Sequence, residues 1–366
     1  MDKSDLRYEE RITLDLRSLY RRYGYQHFRM SKFEEYDLYQ KNKSFLVSDN
    51  IITFNDSHGR LMALKPDVTL SIVKNAGSRA GLQKYCYNEN VYRMSPTSGE
   101  FKEIMQVGLE CIGDIDVYAM GETIMLAAES LRLISDSYTL DISHMGYLTA
   151  LLDHIGLDGR ARGRVLRAIS RKSVSGLEAV AGDHGISDKN LERLRTLATM
   201  YGSIGECIGT LRDISVCEGT DEAVRELESV FGVISRFGSW TICLDFSIVN
   251  DMRYYNGVIF RGFVDGVPSG VLSGGRYDNL MKKFDSGAGA IGFAVYLDEL
   301  EYLNTGDRSC DADVLLICTN ADPGEIAEAA AAITGGGESV WVSRKADDAI
   351  RCRRVVCLEK GGVIHG

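Results

Sequence analysis

Asp245-Phe-Ser-Ile-Val-Asn250-Asp-Met-Arg253-Tyr254-Tyr255-Asn-Gly257 leads into the apolar run Val258-Ile-Phe-Arg-Gly-Phe263, and Ser273-Gly-Gly-Arg276-Tyr277-Asp278-Asn-Leu280 follows. Trp240–Asp245 and Gly257–Phe263 read as strands, and Asp265-Gly266 between apolar runs carries hairpin chemistry. Tyrosine is an ordinary strand residue. Successive strand side chains face opposite sides, so Tyr255 and Tyr277 are the stronger pocket candidates and Tyr254 the weaker. Gly274 and Gly275 would let a ligand approach the backbone closely. No Gly-Lys-Ser/Thr follows these glycines or the Gly335–Gly337 run, so neither reads as a phosphate loop.

Upstream, a helix is expected from a cap at Ser4 or Asp5 to about Arg22, with Gly24 closing it. Ile51–Phe54 and Arg60–Leu64 read as a strand pair. Lys65-Pro66-Asp67-Val-Thr69 ends the second strand and starts a helix, with Asp67 as its cap. Residues 84–92 and 101–112 form another predicted strand pair, followed by a helix from Gly121 to about Ser135 and a strand Tyr138–Ile142. Gln106 and Glu110, four apart on a strand, project from one face.

From about Met145 to Phe237 the apolar spacing is helical throughout, as in Leu148, Leu151, Leu152 and Ile155. A helix is expected at about Phe293–Tyr302. The tail from Asp311 reads as a small α/β unit. The expected organisation is a sheet domain at 1–144 and 238–306, interrupted by a helical insertion at 145–237 and followed by the C-terminal unit at 307–366.

The chain has 366 residues, is 45% apolar and carries a formal charge of −10. That is ample for a globular core, and the acidic balance lacks the broad basic footprint of a nucleic-acid binder. Arg160, Arg162, Arg164, Arg167, Arg171 and Lys172 cluster, and read as a solvated helix face. Nine scattered cysteines without a Cys-x-x-Cys pair argue against a disulfide framework or a zinc site, and for reduced thiols in a cytoplasmic protein. The N-terminus has no apolar signal core and no run is long enough to span a bilayer. Neither a metal nor a cofactor is expected.

In order along the chain, these segments resemble the histidyl-tRNA synthetase family. The opening stretch is similar to its Arg-Gly-Leu-Asp-Tyr-Tyr and Gly-Gly-Arg-Tyr-Asp segments, and Leu64–Thr69 to Leu-Arg-Pro-Glu-Gly-Thr. Tyr92-Arg93 and Phe101–Glu110 resemble motif 2, and Gly24–Tyr36 resembles motif 1 with Ser31 at the usual proline. The resemblance implies an α+β, class II synthetase-like antiparallel sheet flanked by helices. It also implies a histidine pocket. Asp67 and Thr69 would meet the amino group, Gln106 the amino acid and Glu110 the imidazole. Arg93 would hold a carboxylate or phosphate, and Tyr254, Tyr255 and Tyr277 would stand around the ring.

Three departures fall on the activating machinery. Asn250 replaces an arginine, Ser95 a glutamate, and Glu299 the motif 3 arginine of Gly-Phe-Ala-x-Gly-x-Glu-Arg, with Tyr296 at a glycine of that motif. Adenylyl transfer depends on cations that stabilise developing charge. The pattern is therefore similar to the family's regulatory paralogues, the regulatory subunits of ATP phosphoribosyltransferase. Such a chain is expected to have no catalytic residues, to bind histidine as an effector and to activate the short-form catalytic subunit in histidine biosynthesis. The resemblance further implies a homodimer within a hetero-octamer, with tRNA not a partner. The alternatives are an active histidyl-tRNA synthetase, or a paralogue that binds another small ligand or an RNA fragment.

Overall fold

The structure is a computed structural model that describes residues 6–42, 50–76, 81–95, 99–249, 254–284, 287–303, 310–346, 349–359 and 362–365. Ser4, Asp5 and Asn250, singled out above, lie outside the described residues. The chain divides into two compact units, Met1–Leu303 and Asn304–Gly366.

The first unit is built on a nine-stranded sheet. Its spatial order is Gln26–His27, Gln83–Met94, Phe101–Gly113, Gly289–Tyr296, Leu272–Arg276, Val258–Val264, Tyr138–His144, Ile242–Leu244 and Gly202–Ser203. Neighbours are antiparallel except at Gln26–His27 against Gln83–Met94 and at Tyr138–His144 against Ile242–Leu244. With helices packed against both of its faces, this is the α+β architecture expected.

Strand alternation gives the sheet two unlike faces. Val107, Leu109 and Cys111 on one strand, and Ile291, Phe293 and Val295 on the next, are fully buried. They pack with Leu16 and Leu19 of the helix Tyr8–Arg22 and with Ile124, Ala128 and Leu131 of the helix Val117–Ile134. The second helix starts at Asp116, whose carboxylate accepts a hydrogen bond from the Ala119 N–H at 2.7 Å. Truncating such a leucine costs about 2–5 kcal/mol, which places the fold's main reserve on this face.

One expectation fails here. Phe293–Tyr302 is not a helix: Gly289–Tyr296 is a central strand and only Leu297–Leu303 turns helically, as a 3₁₀ segment. The strand pairs on both edges and is covered on both faces, so its sequence shows no polar alternation to read.

Residues 145–237 form six helices and one two-residue strand. Asp158, Ser173 and Ser187 cap three of them by accepting from N–H groups three residues on, and Gly156 and Gly185 end two in the left-handed conformation. The long helix Glu218–Phe237 contributes Val224, Leu227, Val230 and Ile234 to the same core as the sheet. Gly121 lets it come close, since a Cβ there would lie 2.6 Å from Val233. Half of the basic cluster is paired by neighbours: Arg162 with Asp153, Arg164 with Asp183 at 2.7 Å and Lys172 with Asp245 at 2.9 Å.

The second unit has a four-stranded sheet ordered Val340–Ser343, Ala312–Cys318, Cys352–Glu359 and Gly362–His365, with the helix Pro323–Gly335. Its core is Val314, Leu316, Cys318, Val356 and Leu358. All nine cysteines are free thiols. No helix among the described residues is long and apolar enough to cross a membrane.

Candidate functional site

The sheet's second face carries the polar groups. Glu110 lies in register between Tyr85 and Gly292, Gly108 between Tyr87 and Ala294, and Gln106 between Glu89 and Tyr296. Residues in register share a face, so two-residue periodicity on three strands brings these side chains to one surface.

Glu110 is the centre of it. The carboxyl is buried, accepts a hydrogen bond from Thr69 Oγ1 at 2.8 Å, and accepts a second, short one from the Tyr277 phenol. Burial pushes its pKa up to about 8; the two hydroxyls pull it down, and Asp67 adds to the rise. Gly292 makes room: a Cβ there would stand 1.8 Å from Glu110 Oε2 and 2.5 Å from the Leu109 carbonyl oxygen.

Asp67 and Thr69 come from the turn into the helix Thr69–Ala76. Asp67 Oδ1 accepts from the Leu70 N–H at 2.8 Å, so it caps the helix while lying at the pocket. Arg93 Nε donates to the Pro66 carbonyl at 2.7 Å, and its Nη2 stands 3.7 Å from Asp67 Oδ2. Burial raises the Asp67 pKa against the pull of Arg93. Behind them Lys65, wholly buried, pairs with Glu89 at 2.8 Å.

The tyrosines are arranged differently from the strand argument. Tyr254 and Tyr255 precede the strand Val258–Val264, so strict alternation does not separate them. Tyr254 packs on Tyr255 with ring centroids 4.5 Å apart and on Tyr277 at 5.7 Å. Burial, then the charges of Asp67 and Glu110, hold its phenol well above the ordinary range. Both tyrosines feel the charges of Asp67 and Glu110, so the pocket takes in Tyr254 as well as Tyr255.

The glycine pair serves the protein's own rings. A Cβ on Gly275 would meet Tyr255 Cδ1 at 2.8 Å, and one on Gly274 would meet Phe293 Cβ at 2.4 Å on the core face. Tyr87, which the sequence reading passed over, completes the wall: it is buried, and its hydroxyl occupies the space a Gly108 side chain would need. The available signal was its parity with Glu89 on a predicted strand. Gln106 is buried on the same face, and its amide makes no hydrogen bond among the described residues.

Beyond Gln106 the motif 3 positions close the surface. Tyr296 and Ser273 hydroxyls are 2.7 Å apart, Asp298 Oδ1 accepts from the Met105 N–H at 3.3 Å, and Glu299 accepts from Ser269. Ser95 helps close the turn after its strand, its N–H donating to the Glu100 carbonyl at 2.7 Å. Arg276 points away from the pocket, with Nε on Asp278 at 2.8 Å and Nη1 3.3 Å from Glu226, which also meets His144 Nε2 at 3.0 Å.

Chemically, the site offers a hydroxyl-supported carboxylate among aromatic rings, a second carboxylate paired with an arginine, and an unengaged amide. That set suits a small planar ligand with an N–H donor, an ammonium and a carboxylate. Among the described residues no three His, Cys, Asp or Glu side chains are grouped as a metal site.

Residues 1–300 match the family model of histidyl-tRNA synthetase. Among curated proteins, the chain is 30% identical over 292 residues to an ATP phosphoribosyltransferase regulatory subunit from Clostridium kluyveri, covering 77% of this chain and 74% of that one. It is 28% identical over 287 residues to the protein of the same name from Acetivibrio thermocellus, covering 76% and 68%. Among solved structures, one from Bacillus halodurans, described as an ATP phosphoribosyltransferase regulatory subunit/histidyl-tRNA synthetase, superposes with a TM-score of 0.81. It is 26% identical, with 96% of this chain and 94% of the other covered.

Proposed function

The chain belongs to the ATP phosphoribosyltransferase regulatory subunits, within the histidyl-tRNA synthetase family, and from that starting point we propose that it is a non-catalytic subunit which activates the short-form catalytic subunit and relays feedback by histidine. The observation that carries the proposal is the combination of a buried, hydroxyl-supported Glu110 with a carboxylate at position 299, where the resemblance puts the motif 3 arginine. The first suits an imidazole N–H. The second repels the phosphates of a nucleotide and removes a cation that adenylyl transfer needs.

In this reading Glu110 and Tyr277 orient the imidazole, and Tyr87, Tyr254 and Tyr255 exclude water around it. Asp67 meets the ammonium, while Arg93 and Gln106 hold the carboxylate end. Thr69, bound to Glu110, orients the imidazole-binding carboxylate as well as lining the ammonium end. The amino acid is held and not activated. Histidine transmits a signal only by binding two states of the assembly with different affinity. Phe33 and Phe54, in ring contact at 5.3 Å and exposed, support the homodimer that a hetero-octamer of regulatory and catalytic chains requires.

The test is turnover of a cognate short-form ATP phosphoribosyltransferase with and without this chain, then with histidine. Activation reversed by histidine is the expected result, and no effect on a competent partner overturns the reading. Histidine-dependent pyrophosphate exchange is expected to be absent; exchange at synthetase rates would restore the enzyme alternative.

A further inference from the structure

The polar sheet face continues past Tyr296 into a separate cavity of about 1090 Å³, lined by residues of the strands Tyr138–His144, Val258–Val264 and Leu272–Arg276 and by Ser170. Glu110, Tyr277 and Thr69 are not part of its wall. Its lining holds five carboxylates, namely Asp141, Asp245, Asp298, Glu299 and Glu301, against two cations, Lys102 and Arg261.

Three of the five are engaged. Asp245 pairs with Lys172 at 2.9 Å, Asp298 accepts from the Met105 N–H, and Glu299 accepts from Ser269. Asp141 differs. It is 7% exposed, and its buried Oδ1 has no hydrogen-bond partner among the described residues. Its neighbour in register, Arg261, stacks over the Phe263 ring at 5.5 Å and makes no ion pair with it. Burial and the Asp245 charge push the Asp141 pKa up to about 6, with Lys172 pulling the other way. A buried carboxyl without a partner is costly, and one that faces a cavity has room for a partner from outside the chain.

We propose that this cavity is a second ligand site, which takes a small organic cation whose ammonium or guanidinium group pairs with Asp141. The excess of carboxylates excludes polyphosphates, and the volume suits a molecule of several heavy atoms rather than a bare ion. The site is distinct from the histidine pocket and does not depend on that reading.

The experiment is calorimetric titration of the full chain with agmatine, with spermidine and, as the opposite charge, with ATP; histidine is titrated in parallel. Saturable binding of agmatine or spermidine is expected, weakened at least tenfold by Asp141→Asn, while histidine affinity stays within twofold and ATP gives no saturable heat. The proposal is overturned if neither cation saturates, if Asp141→Asn binds them as wild type does, or if ATP binds more tightly than both. If Asp141→Asn does not fold, Asp298→Asn with Glu301→Gln must weaken agmatine at least threefold, and unchanged affinity overturns the proposal. Loss of histidine binding with cation binding intact would count against the histidine pocket alone.

Discussion

At one end of the polar sheet face Glu110 receives hydrogen bonds from Thr69 and Tyr277; at the other, the buried Oδ1 of Asp141 receives none among the described residues. Both carboxyls are buried, and burial is the first cause of the raised pKa at each. The first is built into a network of the chain's own hydroxyls and rings, and its geometry is fixed before any ligand arrives. The second stands beside an arginine that does not use it. The contrast shows that burial alone does not mark a preorganised site; the donors around the carboxyl do.

The sharpest way to break that comparison is to remove each carboxyl. Glu110→Ala is expected to weaken histidine binding roughly hundredfold, the scale of losing a charge-assisted hydrogen bond in a buried site, whereas Asp141→Asn changes it less than twofold. Equal losses in calorimetry would mean that the two ends are one site. Gly292→Ala comes next. Its methyl group would collide with Glu110 and with backbone, and a destabilisation of about 2 kcal/mol in urea unfolding, together with lost histidine binding, is expected. A variant as stable as wild type would show that Glu110 has room to move.

Tyr277→Phe removes one donor and keeps the ring, so about tenfold weaker histidine binding is expected. An unchanged affinity would leave Thr69 as the donor that matters. The smallest effect is in protons. The folded chain holds the Glu110 proton up to about pH 8, against an ordinary value of 4.5. Between those values it binds more protons than the unfolded chain, and this group's contribution to stability falls as pH rises. Binding an imidazole N–H favours the carboxylate, so histidine should release up to about one proton near pH 7. Calorimetry in buffers of different ionisation enthalpy measures that release, and Glu110→Gln should abolish it and flatten the stability slope.

How far the sequence could be read follows from which contacts are local. Gln106 and Glu110 were assigned to one face because strand parity is a local property, and Asp67 because a cap and its helix are neighbours. Tyr254 was ranked below Tyr255 on an alternation that holds only inside a strand, and both tyrosines lie before it. Tyr87 carries no motif; its role arises from Gly108 on the next strand, a contact that pairing creates. Phe293–Tyr302 reads as a helix because a strand buried on both faces has no alternation to display. The solitude of Asp141 depends on where Arg261 points, which no spacing encodes.

Arg276 and Tyr277 are consecutive residues with opposite loyalties: the guanidinium is fastened to Glu226 on the long helix, the phenol to the Glu110 carboxyl. A single peptide unit thus joins the pocket floor to a 20-residue helix. The pocket and the long helix are therefore held by adjacent residues of one chain segment, a link that runs along the backbone and not across the sheet.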